Sequence, residues 1–82
     1  SEIVDLDVTL TPSGGAAICA VASNGDLSLI YANVANYESL VEVQLTPGVV
    51  VDECAIASTN DGRTALGIRS GDSFLIGFVD YL

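Results

Sequence analysis

The side chains able to do chemistry in this chain are few: two cysteines, two arginines and eleven carboxylates, with no histidine and no lysine. Cys19 and Cys54 have no histidine or lysine to lower their thiol pKa, which argues against a reactive nucleophile. A Ser-His-Asp triad is impossible without histidine, and lysine-based variants are equally closed. Carboxylate-pair hydrolysis remains formally open, but nothing gathers two acids beside aromatic sugar platforms, and tryptophan is absent. The sequence therefore reads as a non-enzyme with no cofactor.

Hard-cation binding is the one small-ligand chemistry with candidates. Asp5 and Asp7 place two carboxylates on one strand face, while Asp61 (within Asn60-Asp61-Gly62) and Asp72 fall in loops. Calcium wants six to eight oxygens, and the full EF-hand pattern is missing. These four are weak metal candidates, and alternating surface acids do without metal in most β-proteins. Ser13-Gly14-Gly15 leads into a strand, not a helix, and reads as a turn with no phosphate to cradle.

Charge narrows the partners. A net charge of −9 over 82 residues opposes nucleic acid, whose affinity depends on Lys and Arg, and is repelled by an anionic membrane surface. It also makes dependence on salt or divalent cations a live expectation. No apolar run is long enough to cross a bilayer as a helix. The opening Ser-Glu-Ile-Val-Asp lacks a basic n-region and an apolar stretch, so it reads as no signal peptide.

The elements that must position these residues are strands. Leu6 to Asp26 aligns without gaps on Val41 to Asp61, with nine of twenty-one positions identical. Val8-Thr-Leu-Thr-Pro12 matches Val43-Gln-Leu-Thr-Pro47, and Cys19-Ala-Val-Ala-Ser23 matches Cys54-Ala-Ile-Ala-Ser58. An internal duplication with a period of about 35 residues follows, repeat 1 near 4–39 and repeat 2 near 40–79. Asn24-Gly25 and Asp61-Gly62 signal hairpins of type I′, making Gly25 and Gly62 structural. Pro12 and Pro47 end strands.

Period-two alternation turns Val4, Leu6, Val8 and Leu10 to one face of the first strand, and Asp5, Asp7 and Thr9 to a wet one. The second strand, Ala16 to Ala22, is apolar on both faces, which places it centrally or beneath a second layer. Further strands read at Leu27–Tyr31, Val41–Leu45, Val49–Ala57, Thr64–Arg69 and Ser73–Val79, with Val34–Leu40 the only stretch fit for a helical turn. The fold class is all-β: one small antiparallel sandwich or barrel of six to seven strands.

Cys19 and Cys54 occupy equivalent repeat positions. Residue type favours two matched, buried free cysteines; a disulfide across a pseudo-two-fold axis is the alternative. Half the residues are hydrophobic, more than one small core needs, and the surplus points to a protein interface. Arg63, Arg69, Tyr37, Tyr81 and Leu82 are the interface candidates, although local ion pairs are the simpler fate of both arginines.

The composition thus favours a structural or assembly protein, self-associating as a homo-oligomer or decorating a larger scaffold. Small, lysine-poor, cofactor-free β-domains with surplus apolar surface look like the accessory or cement proteins of viral capsids, a likeness of type without a diagnostic motif, which makes a virion location an expectation. The alternative is a binding module for a small ligand, carbohydrate or calcium on the Gly/Asp-rich loops.

Overall fold

In the computed structural model, residues 2–12, 14–33 and 36–80 are described, the side chains of 33, 36–41 and 80 excepted. Seven strands, all antiparallel, form two sheets: β1 (Ile3–Leu10), β2 (Gly15–Ala22), β3 (Leu27–Asn33), β4 (Asn36–Leu45), β5 (Glu53–Ser58), β6 (Arg63–Ser70) and β7 (Ser73–Asp80). The first sheet runs β1-β2-β3-β4 and the second β5-β6-β7, so the chain is a sandwich and does not close into a barrel. The described residues contain no helix long and apolar enough to cross a membrane.

Two strand boundaries differ from the alternation. β4 begins at Asn36, so strand replaces the helical turn read over Val34–Leu40; Val34 and Ala35 themselves lie outside the described residues. β5 begins only at Glu53, because the chain uses Thr46 to Asp52 to cross from one sheet to the other. Gly48 takes a positive φ of 81° in that crossover, and Val51 alone of its three valines is buried.

The turns at Asn24-Gly25 and Asp61-Gly62 are not type I′, since neither Asn24 nor Asp61 has positive φ. In the β2–β3 turn, Gly25 N–H donates to the Ala22 carbonyl at 2.9 Å and Ala22 N–H to the Asp26 carbonyl at 2.9 Å. This is a type I turn closed by a glycine bulge, in which only the third loop residue needs positive φ. Thr59 to Arg63 repeats it around Gly62, and the same pair of backbone hydrogen bonds joins Thr11 to Gly14 and Gly15, with Pro12 shortly after the strand it ends. Gly25 has a second constraint: a β-carbon there would collide with Val50 of the crossover, whose neighbour Val51 donates to the Gly25 carbonyl.

Ala17, Cys19 and Val21 of β2 and Leu27, Leu29 and Tyr31 of β3 face inward against Cys54, Ile56, Leu66 and Ile68 of the second sheet. The Tyr31 hydroxyl crosses between sheets to Thr64 Oγ1 at 3.2 Å, which spares a buried phenol and a buried threonine from going unpaired. Cys19 and Cys54 are joined by a disulfide, Cα–Cα 6.4 Å, that staples the central β2 to β5. The free-thiol reading is therefore corrected: strands β2 and β5 of the two facing sheets bring the two cysteines within bonding reach.

The two segments that align in sequence do not pair alike. β1 forms a hairpin with β2, whereas β4 pairs with β3 and leaves β5 to the other sheet.

Candidate interaction surfaces

β1 is inverted relative to the wet and dry faces its alternation suggests. Asp5, Asp7 and Thr9 are half-buried, while Val4, Leu6, Val8 and Leu10 face solvent, Leu10 at 75% exposure. The cause is the unpaired edge of β5. Asp5 Oδ2 accepts the Cys54 N–H and Asp7 Oδ2 the Ile56 N–H, both at 2.9 Å. Two carboxylates two residues apart thus stand in for the carbonyls of a missing neighbouring strand. The unbroken register of Asp5 to Leu10 on β2 sets Asp5 and Asp7 opposite the inward Val21 and Cys19, and a bulge at Val4 shifts only Ile3. These acids are structural acceptors, and among the described residues no three metal-ligating side chains gather to hold an ion.

The remaining metal candidates are dispersed. Asp61 stays in its own turn, taking a hydrogen bond from the Thr59 hydroxyl and an ion pair from Arg63 at 2.9 Å. The Thr59 hydroxyl first, and the Arg63 guanidinium second, lower its pKa from 3.8 to about 2. Because the folded pKa is depressed, this turn gains from the charged form above pH 3.8 and loses that gain as pH falls through about 2. A carbon-13 NMR titration is expected to find the Asp61 midpoint well below an ordinary aspartate's, and Thr59→Ala to raise it; an ordinary midpoint in the wild-type chain contradicts the turn geometry. Asp72 is exposed in the two-residue β6–β7 turn.

Both arginines lie on the outer face of the second sheet. Arg63 also stacks on Phe78, its guanidinium carbon 5.3 Å from the ring centre. Arg69 binds Glu53 at 2.6 Å, approaches Asp52 at 3.6 Å and donates to the Gly71 carbonyl at 3.0 Å. Glu53 holds Arg69 in its charged form. These are exposed, solvent-screened pairs that contribute little to stability. Tyr81 and Leu82 lie outside the described residues, as does the Tyr37 side chain.

The surfaces themselves are apolar. On the first sheet, register aligns Val8, Ile18 and Ile30 on one outer rung that ends in Glu42, and Leu6 and Ala20 on the next, which ends in Ser28 and Gln44. On the second, Phe74, Ile76 and Phe78 project from β7 beside Ala55, Ala57, Ala65 and Gly67. The Phe74 ring lies over Gly67, where a β-carbon would sit 3.2 Å from it. The two-sided apolarity of Ala16–Ala22 was the sequence signal for such a layered surface; nothing in the alternation of β1 pointed to it.

The sandwich is closed on one side, where β1 meets β5, and gapes on the other. There an open apolar cleft of about 530 Å³ lies between Leu45 and Pro47 beyond β4 and Leu75 and Val79 of β7, floored by Leu27 and Leu66. No protein-family model, curated protein or solved structure matches this chain.

Proposed function

We propose that this chain is a non-enzymatic structural module that assembles through protein–protein contacts, with its own copies or on a larger scaffold such as a viral capsid, in the manner of a cement protein. The observation that supports this reading is the apolar exterior. A protein carrying −9 presents Leu6, Val8, Phe74, Ile76 and Phe78 to solvent on two opposite sheet faces. Apolar surface of that extent marks an interaction site on a soluble domain. The chemistry of the polar groups agrees with it: Cys19 and Cys54 are oxidised to each other, and Asp5, Asp7, Asp61 and both arginines are engaged in holding edges and turns. An internal duplication fits the same reading, since its shared words lie in the framework strands β1, β2, β4 and β5.

A second reading has the cleft in its favour. Its volume lies within the range of small-ligand sites, and its lining is suited to an apolar ligand. Sedimentation in moderate salt separates the two. The assembly reading expects a dimer or larger species whose population grows with salt, as screening relieves repulsion between acidic copies. A strict monomer whose melting temperature rises only on adding calcium, a sugar or an apolar probe overturns it.

A further inference from the structure

The assembly reading leaves open which surface joins two copies, and the four sheet edges differ in a way that answers it. An unpaired edge strand invites another chain, and proteins blunt such edges with charge, proline or bulges. β1 carries a bulge and two inward carboxylates, and those carboxylates occupy the donors of β5. β4 carries Glu38 and Glu42. β7 has none of these devices before its last residue, Asp80. Its residues 73 to 79 are uncharged and free of proline, its register on β6 is unbroken, and Phe74, Leu75, Ile76 and Phe78 are all exposed.

We propose that β7 pairs antiparallel with β7 of a second copy about a two-fold axis through Gly77. The inference rests on the assembly reading above and names its partner. Charge selects the register. Centred on Gly77, the pairing sets Ile76 opposite Phe78, Leu75 opposite Val79 and Phe74 opposite position 80 of the second copy. On β6, Arg69 stands opposite Phe74 and Arg63 opposite Asp80. Each end rung therefore runs Arg69, Phe74, then the second copy's Asp80 and Arg63, placing that acid on a rung with arginine to either side. Centring on Ile76 instead sets Asp72 against Asp80, and parallel in-register pairing sets every acid against itself; like charges directly opposite are destabilising. The chain's only two cations thus sit on the rungs where the Gly77-centred pairing brings the partner's acid. The product is a continuous six-stranded sheet, β5-β6-β7-β7-β6-β5, with a merged aromatic outer face and a glycine at the axis where two backbones approach.

Charge substitution tests both the edge and its register. Ile76 and Phe78 are 66% and 59% exposed, so replacing them leaves the core intact. Ile76→Glu with Phe78→Glu puts glutamates opposite one another twice and is expected to weaken the dimer by about 100-fold or more in sedimentation equilibrium. Ile76→Lys with Phe78→Glu makes each of those cross-strand pairs attractive in this register alone and is expected to restore association to within about tenfold of wild type. Far-UV circular dichroism and the intact disulfide check that each variant folds. A double-glutamate chain that associates like wild type overturns the edge pairing while leaving assembly through the sheet faces standing. A Lys/Glu chain as weak as the double glutamate overturns the register. A wild-type chain that is monomeric throughout overturns the pairing and self-assembly together.

Discussion

Breaking the Cys19–Cys54 bridge is expected to lower the unfolding free energy by about 4 kcal/mol, from the chain entropy released when a loop of this length opens. The two cysteines are 35 residues apart, and the loop between them contains β3, β4 and the crossover that links the sheets. A domain of this size has a total stability on the order of 4–12 kcal/mol, so the loss is a large fraction of the whole. The melting temperature should fall by roughly 15–30 °C. Urea denaturation with and without a reductant measures it, and Cys19→Ser and Cys54→Ser should lose similar amounts because each breaks the same bond. A change under about 1 kcal/mol would mean that core packing holds the sheets together unaided. The bridge matters here because the sandwich gapes along β4 and β7, leaving the β1–β5 side and the disulfide to fix the distance between layers.

Asp5→Ala with Asp7→Ala is expected to destabilise the fold by about 2–4 kcal/mol, because it leaves two part-buried backbone N–H groups of β5 without acceptors. The direction runs against intuition. Removing two acids from a chain of net charge −9 relieves repulsion, and it also turns a polar strand face apolar. If the carboxylates were a solvated face, both effects would make the variant neutral or stabilising. Asp5→Asn with Asp7→Asn keeps an oxygen acceptor and should recover part of the loss. Denaturant unfolding reads the difference, and hydrogen exchange at Cys54 and Ile56 reports it locally: both amides should exchange faster in the alanine variant. A stable alanine variant with unchanged protection would refute the edge-capping role.

The same two residues mark the limit of what alternation can convey. Val4, Leu6, Val8 and Leu10 against Asp5, Asp7 and Thr9 is a clear period of two, and it correctly identifies a strand. Which face turns inward depends on what stands opposite, and an edge with unpaired donors outweighs aliphatic burial. At the end of β4 the same alternation does turn Leu45 onto the core, although Val43 two residues earlier stays exposed. The turns show a milder version of this. Gly25 and Gly62 were legible as turn glycines, but the number of loop residues, hence the turn type, is decided by strand register.

By itself the sequence determined that this is an all-β chain, where most of its strands run, which glycines turn it, and that histidine- and lysine-dependent catalysis is closed to it. Those properties reside in residue type and spacing, which local sterics and periodicity convert directly into conformation. Tertiary structure alone decided that the cysteines are bonded, that β4 joins the first sheet, that Asp5 and Asp7 serve β5, and that the outer faces and β7 are left apolar and uncovered. Each of these depends on an unsatisfied group or edge in one segment meeting its complement some tens of residues away, a pairing that neither segment encodes until the two are folded together.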